Sequence, residues 1–81
     1  MSVTDNVKNN GNVIKTEQTA DVESCQSLCR NTEGCSGWNW QIKKESCELL
    51  DGIEKSKTND KFKSGICSGK TFIMTFVLKC V

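Results

Sequence analysis

Residues 21–49 read DVESCQSLCRNTEGCSGWNWQIKKESCEL and hold four of the six cysteines and both tryptophans. Asp21 suits a helix N-cap, because its carboxylate can accept from the free amides of the first turn. Glu23 adds negative charge near the positive end of the helix dipole. Val22, Cys25, Leu28 and Cys29 then recur at steps of three, three and one, the narrow apolar stripe of a helix lying on a sheet. Arg30 favours the C-terminal end, and Asn31 and Gly34 can end the helix in a left-handed conformation. The pattern predicts a helix over residues 22–31.

Cys25 and Cys29 lie four apart, so both sulfurs leave one helix face and each must staple the helix to something else. Cys35, just past the Gly34 turn, can fold back onto Cys29. That leaves Cys25 for a more distant cysteine. In CSGWNWQI (35–42), Trp38, Trp40 and Ile42 share one face and Gly37, Asn39 and Gln41 the other, which is a strand. KKES then reads as a hairpin turn and CELL as the returning strand.

Further out the signals weaken. Residues 51–65, DGIEKSKTNDKFKSG, read as a polar, lysine-rich loop anchored by Ile53 and Phe62. KTFIMTFVLKC (70–80) is apolar on both faces and reads as a central strand. At the other end, Val13 and Ile14 open a short strand. Asn10-Gly11 is a turn signal, and residues 1–10 are expected to be a frayed end, with an edge strand as the alternative. The predicted architecture is α+β: one helix cradled by an antiparallel sheet of about five strands.

With 81 residues the chain is one small domain, and a core of that size needs covalent support. An even cysteine count favours three disulfides, which persist in oxidising compartments and imply a secreted or extracellular protein. Zinc is a poor fit: there is no histidine and no closely spaced cysteine pair at both ends of a site. Lys plus Arg is 11 against 10 Asp plus Glu, so net charge alone points to neither nucleic acid nor a strongly acidic partner. No apolar run is long enough to insert in a membrane. The polar start MSVTDNVKNN lacks a secretory signal, so residues 1–81 are expected to be a mature or excised domain of a larger secreted protein.

In order along the chain, Cys25-x3-Cys29-x5-Cys35, the aromatic Trp38 and Cys47-Glu48-Leu49 together resemble the PAN/apple domain. Gly11 to Ile14 resembles that family's first-strand motif, and Ser64-Gly65 or Ser68-Gly69 its closing element. The resemblance covers roughly residues 7–69. It is strongest to the apple modules of microneme adhesins in apicomplexan parasites, in a family shared with coagulation factor XI and plasma prekallikrein. It implies bridges Cys25–Cys47 and Cys29–Cys35. Full apple domains also have an early cysteine bonded to the last one, and no cysteine precedes Cys25 here. Cys67 and Cys80 then pair with each other, or one of them joins a cysteine upstream or in a neighbouring domain.

An enzyme is not expected. Without histidine there is no base for a cysteine or serine nucleophile. The carboxylate pairs Glu45/Glu48 and Asp51/Glu54 sit in polar surroundings that would leave them solvated. No cofactor or metal is expected. The resemblance instead implies a non-catalytic recognition module for carbohydrate, of galactose type or another glycan, in host-cell attachment. It would be secreted, through an organelle such as a microneme, with tandem sister domains. Candidate ligand residues are Trp40, Lys57, Asn59, Asp60, Lys61 and Lys63, which supply a ring face, donors and acceptors. Trp38 is assigned to the core. The alternatives are a module docking a protein partner and a secreted inhibitor resembling the leech antiplatelet protein.

Overall fold

The computed structural model describes residues 3–67, 70–73 and 77–80, with side chains through Cys67. The helix α1 spans Val22–Asn31, where its apolar stripe predicts it. Asp21 Oδ1 accepts from Ser24 N–H at 2.8 Å and caps its start. Past the last turn, Thr32 N–H donates to Cys29 C=O at 3.1 Å, and the reversal itself falls on Gly34 at φ 85°. Asn31 stays helical and donates to Ser27 C=O, so glycine alone supplies the left-handed residue. Val22, Cys25 and Cys29 are buried against Trp38, Trp40, Cys47 and Leu49.

Hydrogen bonds from the Ser24 side chain, then from its main-chain N–H, hold the Asp21 carboxyl below its usual value of 3.8. A folded value below the unfolded one contributes stability that is complete above about pH 4 and fades as pH falls through the lowered folded value. Asp21→Asn keeps a capping acceptor but cannot titrate. Its melting-temperature deficit against wild type should therefore shrink between about pH 6 and about pH 2. A deficit constant across that range would remove the charge from the cap's contribution.

Three strands form the main sheet in the order β1-β3-β2: β1 Thr4–Gln18, β2 Gly37–Gln41 and β3 Ser46–Ile66. The five-residue β2 is flanked on both sides by the same strand. Gly37 faces both Leu50 and Ile66, and Gln41 faces both Ser46 and Phe62. Partner numbers fall as those of β2 rise, so both pairings are antiparallel. β1 runs antiparallel along β3, from Thr4 opposite Ser64 to Gln18 opposite Ser46. β1 and β3 therefore curl around β2 rather than lying flat.

Two disulfides pin α1 and the turn after it: Cys25–Cys47 ties it to β3, and Cys29–Cys35 closes the turn, each with Cα atoms 5.4 Å apart. Cys67 is disulfide-bonded, while the side chain of its expected partner Cys80 lies outside the described residues.

Four expectations change. Residues 4–10 do not fray: half-buried Val7 and the 2% exposed Asn9 anchor them to β3. Asn10-Gly11 is no turn either. The register slips on both sides of Gly11, which lacks the Cβ that would collide with the Gly52 carbonyl. The lysine-rich 51–65 loop is the body of β3, since a ribbon open to water on its faces needs a paired backbone, not apolar periodicity. Finally, 70–80 is not one central strand. β4, Lys70–Ile73, pairs antiparallel with β5, Val77–Cys80, in a separate two-stranded sheet, and residues 74–76 lie outside the described residues. The place beside β2 is already filled on both sides by β3. The main sheet thus has three strands, not about five.

Inside the curl, the face of β2 read as polar is closed off. Asn39 is fully buried, and its carboxamide pairs with the main chain of Asn9: Asn9 N–H donates to Oδ1 at 2.7 Å and Nδ2 donates to Asn9 C=O at 2.8 Å. The Asn9 side chain continues the network, donating to Gly65 C=O at 3.2 Å and accepting from Ser56 Oγ at 2.6 Å. Asn39 thus serves as a peptide group where β1 bends past β2. No described buried side-chain polar atom lacks a partner. Gly65 leaves room for the Trp38 indole, whose ring atoms lie 2.6 Å from where a Cβ would stand.

Candidate functional site

Two irregular segments meet at one end of the sheet. The first is the β2–β3 turn, residues 42–45, where Glu45 takes φ 51°. The second is a bulge in β3. Between Asp5–Lys63 and Val7–Thr58, one β1 residue, Asn6, faces four residues of β3, Asn59 to Phe62. Asn6 adopts φ 60°, a left-handed conformation that asparagine tolerates better than most residues. Asn59 Oδ1 accepts from Lys61 N–H at 3.1 Å, holding the bulge, and Ile42 N–H donates to Lys61 C=O at 3.0 Å, locking it to the turn. Bulges commonly re-aim side chains beside binding sites.

Between the segments lies a cleft of about 340 Å³ lined by Gln41, Ile42, Lys43, Lys44, Asp60 and Lys61. Three ammonium groups against one carboxylate make it cationic. Gln41 adds an amide, and Ile42, 40% exposed, adds an apolar wall. A larger groove of about 460 Å³ beside α1 is shallower and acidic, lined in part by Glu17, Asp21 and Glu23. Its polar groups are largely engaged: Asp21 caps the helix, Glu17 pairs with Lys15 at 3.3 Å, and Asn31 bonds to Ser27. Among the described residues no ion pair engages the lysines of the smaller cleft.

Of the residues singled out in the sequence, Asp60 and Lys61 line the cleft and Asn59 shapes its wall. Lys63 lies in the ladder, 3.7 Å from Asp5. Lys57 sits away from the cleft on the β1–β3 ribbon, opposite Lys8. Trp40 belongs to the core: it is 9% exposed, packs in the cluster around the Cys25–Cys47 bridge, and its indole N–H donates to Thr19 C=O at 3.4 Å. It presents no open ring face to a ligand. Trp38 is fully buried, as assigned. Sequence reading missed Lys43 and Lys44 because they lay in what looked like a plain hairpin turn, and Gln41 because it read as part of a strand's polar face. It also missed Asn39, whose role depends on a partner thirty residues away.

Among the described residues no group of His, Cys, Asp or Glu could hold a metal, and no helix is long and apolar enough to cross a membrane. No curated protein matches the chain. The family model for the PAN domain matches residues 1–80 of the 81. PAN domains are modules that bind proteins or carbohydrates and are generally non-catalytic, and a disulfide-held one suggests an extracellular location. That match covers nearly the whole chain, and the chain belongs to the PAN domain family.

Proposed function

We propose that this PAN domain is a non-catalytic extracellular module that binds a saccharide in the cleft between the 42–45 turn and the 59–62 bulge. The observation that carries the reading is the cleft itself. It is small, its lysine donors stand beside a single acceptor carboxylate and an apolar Ile42 wall, and both walls are hydrogen-bonded in place. Asp60 and Lys61 address ring hydroxyls, with Asn59 holding Lys61 in position. The role is cell-surface adhesion, of the kind seen in microneme adhesins of apicomplexan parasites, where tandem copies multiply weak single-site affinity.

Glycan-array binding with Lys61→Ala beside wild type tests this. Loss of one charge-assisted hydrogen bond lowers the signal by about tenfold. An array with no sugar above background would overturn the reading. It would favour a protein partner, for which Val13 and Ile14, 47% and 40% exposed on β1, supply adjacent apolar contacts.

A further inference from the structure

Asn10-Gly11, a turn signal in the sequence, lies instead in the slackest part of the β1–β3 ribbon. Asn10 pairs with Lys55, Gly11 with Ile53 and Asn12 with Asp51, so Glu54 and Gly52 are passed over in successive steps. Gly52 takes φ 84°, and its carbonyl stands where a Gly11 Cβ would be. Each skipped residue bends β3 and interrupts the ladder locally. The fold thus requires a glycine at position 11, and that glycine follows an exposed asparagine.

An asparagine carboxamide is open to attack at Cγ by the main-chain nitrogen of the next residue, and a side chain on that residue crowds the attack. Of the seven asparagines, Asn10 alone precedes glycine. Asn9 and Asn39 are buried and bonded to each other, Asn31 donates to Ser27 C=O, and Asn59 accepts from Lys61 N–H. Asn6 and Asn12 are exposed, but each precedes valine. Among the described residues no hydrogen bond holds the Asn10 carboxamide.

We infer that Asn10 is a site of spontaneous modification, at which Gly11 closes onto the Asn10 side chain and converts the residue to aspartate and isoaspartate. The Gly11 nitrogen loses its proton to solvent base and bonds to Cγ. The Cγ–Nδ2 bond breaks, and the departing nitrogen takes up a proton and leaves as ammonia, which gives a cyclic succinimide. Water then adds to either succinimide carbonyl. Opening on one side gives aspartate; opening on the other routes the main chain through Cβ and Cγ as isoaspartate. Water is the sole co-reactant, and nothing is oxidised or reduced. Asp51-Gly52, across the ribbon, is a second such dipeptide, but a carboxylate is a poorer electrophile than a carboxamide, so Asn10 reacts first.

The two products differ in consequence because of Asn9. Aspartate keeps the main chain and sets a carboxylate opposite Lys55, a favourable cross-strand pair. Isoaspartate adds a main-chain methylene directly after Asn9, whose N–H and C=O are held by Asn39 at 2.7 and 2.8 Å. The extra atom must displace either that pair or the ladder beyond Gly11. This chemistry is independent of the saccharide cleft.

Ageing the folded, disulfide-bonded protein in mildly alkaline buffer tests the inference, with mass-spectrometric mapping that separates aspartate from isoaspartate. Asn10 converts before any other asparagine, and faster as pH rises, because the attacking nitrogen must lose its proton. Asn10→Gln, which needs a larger and slower-forming ring, accumulates no acidic form at that position over the same period. The isolated isoaspartate form melts about 4–8 °C below fresh protein, as for one lost buried hydrogen bond. Asn10→Asp, which carries the same charge on an unaltered main chain, melts within about 3 °C of it. Asn10 staying intact in the folded protein while the reduced, urea-unfolded chain converts would overturn the inference, since the ladder would then shield the site. So would another asparagine reacting first. An isoaspartate form as stable as Asn10→Asp would overturn the coupling to Asn9.

Discussion

Asn39→Ala is expected to destabilise the domain by about 4 kcal/mol, since two main-chain groups of Asn9 lose buried partners at about 1–3 kcal/mol each. A domain of this size has about 4–12 kcal/mol of stability in all, so the loss is at least about a third of the total. The cost arises from where the hydrogen bonds go. The Asn39 carboxamide satisfies the Asn9 N–H and C=O at 2.7 and 2.8 Å, and with Asn39 fully buried water does not replace it. Its Nδ2 also reaches Glu48 Oε1 at 3.2 Å, adding the β3 arm to the network. Asn9→Ala supplies the contrast. Its main chain keeps both bonds to Asn39 and loses only those of its side chain to Gly65 and Ser56, so a cost of about 1–2 kcal/mol is expected. Urea denaturation of both variants measures the difference. Equal costs would mean that the pair fills space rather than completing the ladder.

Removing the Cys25–Cys47 bridge as Cys25→Ala/Cys47→Ala should cost about 3 kcal/mol, from the freedom regained by a 22-residue loop in the unfolded chain. The Cys29–Cys35 loop spans 6 residues, and the same relation gives about 2 kcal/mol for Cys29→Ala/Cys35→Ala. Alanine is the right replacement, because serine would add an unpaired hydroxyl where all four sulfur positions are at most 1% exposed. Thermal denaturation of the two double variants gives the order. A larger loss for the short loop would show that packing around the Gly34 turn outweighs chain entropy.

The function side divides in the same way. Asp60 and Lys61 could be singled out because residues 54–63 concentrate lysine, asparagine and aspartate. Gln41, Lys43 and Lys44 could not, since nothing in a strand end and the hairpin turn after it announces that a later bulge will close against them. Trp40 shows the opposite error. A tryptophan beside a polar segment looks like a sugar platform, yet period-two alternation puts it on the same face as Trp38, under α1 and its bridge.

By itself the sequence determined the parts whose causes are local. The Asp21 cap, the four-residue stripe and the Gly34 reversal all act within one or two turns, and α1 stands where they place it. The cysteine spacing in residues 25–47 likewise carried the resemblance to the family, which implied both inner bridges, while helix geometry alone left Cys25 to any more distant cysteine. Tertiary structure alone decided the fate of the polar segments. Residues 4–10 and 51–65 have no periodicity of their own and are strands only because each satisfies the other's backbone. The curl of that ribbon around β2 then buries Asn39, opens the bulge that forms the cleft, and sets Lys8 against Lys57. Register between segments some fifty residues apart is a property of the whole sheet, so in residues 21–49 the frame was legible and the binding surfaces were not.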